Sequence, residues 1–339
     1  QLLLLLGLAL AFHRILNADI WLHLTAGSWI LQHGQVPREE IFSFTATGHK
    51  WVDLHWGYQV MVTQWHRVGG AIGLQALHAI ALSGALLVVI QEVRRGGGRS
   101  VGWLYVGLAL LTAQERVLCR PELFTLVFLG LSWLFSERMI RGERVSWWWV
   151  GLAVAWANMQ GLFVLGPVFM GLRAAGLVID RRRQPDRVAP GAVRAHLVAA
   201  AVMLAAAIVN PFGIDGLLLP FRLLSQVSGE SVYAPILAEL RSPFEGRVTP
   251  VLFVVTAVIA LGAWVADPRR RVCDLLPMIA FGYLALSARR NLLLFEFITM
   301  IPTAISLSRL TGAARARRAL LGGSGVALGL MILLVVTGR

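Results

Sequence analysis

The residues of this chain that could do chemistry are few, and they lie in short polar interruptions between apolar runs. Asp19 stands near the start of the stretch 17–45, Glu39 and Glu40 follow within it, and Asp53 and His55 come next in "WVDLHW". Grouped carboxylates can divide their work, one taking a proton and another holding a metal or an acceptor. Asp19 either caps the helix that follows it or meets a lipid headgroup at the membrane boundary. Arg116 and Arg120 flank "VLC" before Pro121, and Arg289, Arg290 and Asn291 sit together between two apolar runs. A guanidinium fork grips a phosphate or diphosphate bidentately, and charge at membrane depth is costly unless paired or bound. The alternative for these arginines is an ion pair with Glu115, Glu122, Glu239 or Glu296. Asn158 and Gln160, in "WANMQG", carry amides that can bond a sugar hydroxyl or neighbouring backbone.

Elements embedded in a bilayer must position these groups. The 339 residues are 57% hydrophobic and 14% charged, where a soluble domain has about 25% charged residues. Apolar runs recur near 1–16, 71–91, 100–114, 121–137, 145–160, 161–179, 195–210, 248–266, 273–288, 292–308 and 319–337. They do not alternate as barrel strands would, so the expectation is a single all-α integral membrane domain, 1–339, with about eleven transmembrane helices. The opening "QLLLLLGLALAF" lacks a basic flank and is expected to be the end of a first transmembrane helix.

The net charge of +13 does not point to nucleic acid, because Lys50 is the only lysine and the arginines cluster between apolar runs. Arg94/Arg95/Arg99, Arg138/Arg141/Arg144, the stretch 180–187, the stretch 267–271 and the run 309–318 alternate with the other connections. The positive-inside rule puts them in the cytoplasm, with the N-terminus inside. The long loops 17–70 and 210–247 then face outward, as do the turns bearing Arg116, Arg120, Asn158, Gln160, Arg289 and Arg290. Ile20, Leu24, Ile30 and Leu31, with Trp21 and Trp29, suit a helix lying in the interface plane, and 236–244 suits a second. The histidines from His23 to His66 are expected as interface residues without metal-ligand spacing. Two distant cysteines give no disulfide framework. P-loop, dinucleotide, GxSxG and HExxH motifs are absent.

The stretches "DIWLHLTAGSWI", "GQVPREEIFSFTATGHKWVDLHW", "RPELFTLVFLGL", "WANMQGLFVLG", "NPFG", "LAELRSP" and "RRNLLLF" resemble, in that order, a group of bacterial polytopic membrane proteins related to the GT-C glycosyltransferases. The resemblance implies a GT-C-like fold in the bacterial inner membrane and an active extracytoplasmic face. It also implies a polyprenyl-phosphate-linked sugar as donor. Asp19 matches the catalytic acid just after the first helix, and Glu40 stands where the group usually has Asp. Transfer would invert the anomeric centre. Arg290 and Arg120 would hold the departing phosphate, with Arg116, Arg289, Asn291, His55, Asn158 and Gln160 binding substrate. A divalent cation shared by Asp19 and Glu40 is the one cofactor considered. The partners are the bilayer, the lipid-linked sugar and proteins of an envelope assembly, with no nucleic acid. The chain departs from the group at Leu54–His55 in place of His-Glu, at Gln160 in place of His and at Leu240 in place of Trp. Those departures suit a second reading, a non-catalytic lipid-binding or scaffolding subunit.

Overall fold

The computed structural model describes residues 2–12, 15, 17–227, 238–240, 242–244 and 249–311. Among them the chain is helical, and its one β-type contact is an isolated antiparallel bridge between Glu39 and Lys50. The helices are α1 (Leu2–Ala11), α2 (Asp19–His33), α3 (Trp56–Arg95), α4 (Ser100–Thr112), α5 (Glu122–Ile140) and α6 (Trp148–Met159). They continue with α7 (Leu165–Arg183), α8 (Ala192–Ala206), α9 (Ile214–Val227), α10 (Thr249–Ala266), α11 (Val272–Ser287) and α12 (Leu292–Leu310).

Each apolar segment expected before residue 311 falls on a helix, and the segment 319–337 lies outside the described residues. Among the described residues, five helical stretches are long and apolar enough to cross a membrane: α3, α5, Gly161–Arg183, α10 and Arg289–Leu310. The apolar helices α4, α8 and α11 have 13, 15 and 16 residues. At 1.5 Å per residue they reach only about 20–24 Å, short of a core about 30 Å thick. The expected count of about eleven spans is therefore not reached among the described residues. Apolar runs marked where helices form, but not whether each is long enough to cross.

α3 is two helices joined at Gly70, whose φ of 55° and ψ of −141° lie where only glycine is at ease. In a continuous helix, residues twenty apart are about 30 Å away from each other. Instead the Tyr58 hydroxyl lies 2.9 Å from Nε2 of His78, so the first half folds back on the second. Gly73 makes the fold-back fit, because a Cβ there would stand 2.4 Å from the Trp65 carbonyl oxygen.

The chain divides into two compact units. The first comprises Gln1–Gly7, Leu86–Val117 and Val232–Arg339. α12 is its axis, buried at nearly every position from Leu292 to Ala304, and α4, α10 and α11 pack around it. α4 approaches α12 closely because Gly102 has no side chain: a Cβ would lie 2.5 Å from the Ala304 carbonyl oxygen. Tyr105 donates to Thr299 Oγ1 at 2.8 Å across the same seam.

The second unit comprises Leu8–Ala85 and Leu118–Ser231. α5, α7 and α8 form its apolar core, with Trp156 of α6 stacked on Phe128 at 5.2 Å. Inside that core lies a full charge. Arg173 of α7 has no solvent exposure and donates to Glu137 of α5 and, at 2.8 Å, to Ser136 Oγ. Its guanidinium sits 4.6 Å over the Trp133 ring. Ser136 in turn lies 2.7 Å from His196 Nε2, whose Nδ1 donates to the Ala192 carbonyl.

α2 forms where the spacing predicts, ending at Gly34 in the left-handed conformation with its N–H bonded to the Ile30 carbonyl. Its apolar stripe is used differently from the expectation. Ile20, Leu24 and Ile30 are buried within the protein, and Trp21 and Leu22 are the residues turned outward. Gly27 sets the depth of this packing, since a Cβ there would lie 2.2 Å from the Gln59 carbonyl oxygen and 2.3 Å from Thr63 Oγ1. Gly27→Val is expected to destabilise the protein by about 1–3 kcal/mol, the usual range for overpacking. A thermal-unfolding midpoint unchanged from the parent would contradict this account of the α2–α3 contact.

The two long loops are linked within this unit. Arg38 donates to the Pro211 carbonyl at 3.0 Å, and Asp215 of α9 pairs with Lys50 at 2.7 Å and with Arg222 at 3.2 Å. The bond and charge of Lys50 hold the Asp215 carboxyl below its ordinary range. α9 exposes Ile214, Leu218 and Phe221, one helical stripe. The amphipathic helix of the second loop thus lies earlier than the 236–244 stretch expected, of which only 238–240 and 242–244 are described.

Candidate functional site

Asp19 is the first residue of α2. The cap position is Ala18, one residue before Asp19, so capping is not the role of Asp19. Its carboxylate lies 2.9 Å from Arg120 Nη2 and stays 57% exposed. Arg120 comes from the short segment that Pro121 ends by starting α5. Asn17 joins the two: its Oδ1 accepts from Arg120 Nη2 and from the Asp19 amide, both at 3.2 Å, and its Nδ2 donates to the Cys119 carbonyl at 3.5 Å. An acid, a guanidinium and an amide from two distant segments are thereby held together within the second unit.

Behind this trio lies a layer of rings. His23, one turn beyond Asp19 on the buried face of α2, is 9% exposed and packs 5.7 Å from the His55 ring and edge-on to Tyr58 at 5.1 Å. His78 donates from Nδ1 to the Leu74 carbonyl at 2.7 Å, which leaves its Nε2 to accept from Tyr58 when the ring is neutral. Asp53 is buried. Its Oδ1 accepts from the His55 amide at 2.9 Å and lies 3.8 Å from His55 Nδ1. Burial raises the Asp53 carboxyl above its ordinary range, against the opposing pull of His55. Burial first, and then His55, Arg120 and His78, push His23 down to about 3.

His23 therefore folds neutral, and the sign of its pH dependence follows. Between about pH 6.5 and 3 the unfolded chain binds a proton at His23 that the folded chain does not, so stability falls as pH falls through that window. The slope is at most about 1.4 kcal/mol per pH unit for one proton. Asp53 has the opposite sign, since its raised carboxyl binds a proton in the fold before it does in the unfolded chain. His23→Phe is expected to flatten the loss of unfolding midpoint between pH 6.5 and 4.5 while the Asp53 contribution persists. A pH profile parallel to that of the parent protein would refute the role given to His23.

The other residues singled out from the sequence are distributed less simply. His55 joins the ring layer, half exposed, with the Gln160 side chain and the charge of Glu122 acting on it. Gln160 is buried and its Oε1 accepts from the Leu162 amide at 2.9 Å, starting the turn before α7. Asn158 is a clamp: it accepts from Trp56 Nε1 at 2.8 Å and donates to the carbonyls of Val154 and Val209 at 2.8 and 2.7 Å. Glu40 is occupied within its own turn, accepting from the amides of Phe42 and Ser43 at 2.6 and 2.9 Å. In the first unit Arg289 pairs with Glu115 and Arg116 with Glu239 at 3.7 Å, the ion-pair alternative read from the sequence. Asn291 donates to the Leu284 carbonyl at 2.8 Å. Arg290 is half-buried and has no ion-pair partner among the described residues.

No three His, Cys, Asp or Glu side chains among the described residues converge as metal ligands. The donors do not fit a divalent cation shared by Asp19 and Glu40, because a guanidinium lies on Asp19 and two backbone amides saturate one Glu40 oxygen. Sequence reading missed Asn17, His23, Tyr58 and His78. His23 had a usable signal, four residues after Asp19 and so on the same helix face. Tyr58 and His78 had none, because their meeting depends on the break at Gly70.

Comparison with family models gives no match, and comparison with curated proteins gives none. Among solved structures the chain is similar to the archaeal oligosaccharyltransferase AglB from Archaeoglobus fulgidus, determined in complex with an inhibitory peptide and a dolichol-phosphate. The TM-score is 0.62 at 14% identity, over 98% of this chain and 54% of that one. The likeness is one of fold, and it supports the GT-C-related architecture expected from the sequence. This chain spans about half the length of that enzyme.

Proposed function

We propose that the chain is a membrane glycosyltransferase that moves a sugar from a polyprenyl-phosphate donor to an acceptor hydroxyl on the extracytoplasmic face, with inversion. The observation that carries this reading is the Asp19–Arg120–Asn17 trio, in a chain that shares the fold of an enzyme solved with a lipid phosphate. Asp19 takes the acceptor proton as the acceptor oxygen bonds to the anomeric carbon. The anomeric C–O bond breaks, and its electron pair leaves with the phosphate. Arg120 offsets the charge gathering on the phosphate oxygens. Asn17 keeps the guanidinium and the carboxylate in register. Arg290, half-buried and without an ion-pair partner among the described residues, is a separate candidate for binding an anion and is tested by its own substitution. Glu40, held in its turn, supports the loop that carries it. The five arginine clusters face the cytoplasm, and the membrane is the bacterial inner membrane.

The test is turnover of purified protein in nanodiscs with a panel of polyprenyl-phosphate hexoses, followed by release of polyprenyl phosphate. Release that depends on an added acceptor supports the transferase, and a complete absence of release across the panel counts against it. A second reading has one observation in its favour: Asp19 and Arg120 neutralise each other. In that reading the chain binds lipid as a non-catalytic subunit of an envelope assembly. Lipid phosphate would then co-purify with the protein, and release would be absent with every donor.

A further inference from the structure

Glu296 lies on α12 inside the first unit, with no solvent exposure. Its surroundings differ from those of four buried acids that face an arginine, and from Asp53, which lies beside His55. Glu92, Glu137, Asp267 and Asp274 each face an arginine, respectively Arg95, Arg173, Arg309 and Arg271. Glu296 has no cation partner among the described residues, and one of its two oxygens, Oε2, has no hydrogen-bond partner there. The other, Oε1, lies 2.6 Å from Thr256 Oγ1 of α10. An ionised carboxylate with a single hydroxyl for company would carry an uncompensated buried charge, which proteins avoid.

The hydroxyl protons around it can be counted. Tyr105 donates to Thr299 Oγ1 at 2.8 Å, and Thr299 donates to the Glu296 main-chain carbonyl at 2.9 Å. Thr256 has one proton and two acceptors in reach, the Phe253 carbonyl at 3.0 Å and Glu296 Oε1 at 2.6 Å. Only a neutral Glu296 uses both contacts: its O–H donates to Thr256 Oγ1, and the Thr256 proton goes to Phe253. The orphan oxygen is then a carbonyl, which is far less costly to leave alone than half of a carboxylate.

We propose that Glu296 is a proton-binding site within the helix layer of the first unit, a neutral carboxylic acid of the kind that apolar carbodiimides modify. In that modification the carboxyl proton moves to one carbodiimide nitrogen as the carboxyl oxygen bonds to the central carbon. The resulting O-acylisourea rearranges to an N-acylurea, and no group leaves. The proposal is independent of the transferase reading, since it concerns residues given no part in that reaction.

The primary test is infrared difference spectroscopy of the whole protein in nanodiscs at neutral pH, parent minus Glu296→Gln. The expected result is loss of one protonated-carboxyl stretch, above the amide I band, with no change in the carboxylate bands. Loss of carboxylate absorbance instead would overturn the proposal. Thr256→Val keeps the acid and removes its acceptor, so the same band should persist and move to higher frequency. An unmoved band would refute the hydrogen bond assigned here. Should Glu296→Gln fail to fold, dicyclohexylcarbodiimide on the parent protein decides the matter by peptide mass mapping. An adduct at Glu296 and none at Glu137, which faces the Arg173 guanidinium, supports the assignment. A bare Glu296 beside modified surface acids overturns it.

Discussion

Asp19→Asn is expected to reduce sugar transfer about 10²- to 10⁴-fold, the usual contribution of a positioned general base. The substitution keeps size and shape and removes only the capacity to take a proton. Folding should survive it. Asp19 is more than half exposed, and exposed ion pairs contribute roughly 0–1 kcal/mol. Arg120 keeps the Asn17 oxygen at 3.2 Å as an acceptor when the carboxylate is gone. The prediction therefore pairs a large kinetic loss with a nearly unchanged unfolding midpoint. Full activity in Asp19→Asn would end the assignment of Asp19 as base. An equal loss of activity and of folded protein would assign Asp19 to structure instead.

Arg173→Met is expected to be the most damaging single change outside that trio. It leaves Glu137 buried and uncompensated, which typically costs about 3–5 kcal/mol, and it strips a cation from the Trp133 face. Glu137→Gln should do comparable harm by stranding the guanidinium. The pair Arg173→Met with Glu137→Gln should recover most of the loss, because replacing both charges together is often close to neutral. Thermal unfolding of the four proteins in one detergent measures this directly. Additive losses in the double variant would show that the two side chains act separately, against the hydrogen bond between them.

The sequence made the helices legible where one dimension suffices. Apolar runs placed α4, α5, α7, α8, α10, α11 and α12, because burying apolar surface needs only a run of the right residues. It could not show that α3 turns back at Gly70, since a lone glycine in an apolar run has many uses. Asp19 and Arg120 were both named from their own settings, but Asn17, which joins them, had no such mark. The partners of Arg116 and Arg289 illustrate the same limit. Glu239 and Glu115 were among the candidates, and only packing decides which acid meets which arginine. Ile20 and Leu24 show that an amphipathic pattern specifies an apolar contact without saying whether lipid or protein supplies it.

The interleaving of the two units has a consequence for biosynthesis. The second unit is complete once residue 231 is made, whereas the first must wait for the chain beyond 232. Tyr105 and Thr299 are 194 residues apart. At about 5–20 residues per second, α4 leaves the ribosome about 10–40 s before the helix that will cover it. Throughout that interval the notch at Gly102 and the Tyr105 hydroxyl are without their native partner. A chain stalled before α12 would present this seam, still open, to the insertion machinery and to membrane proteases.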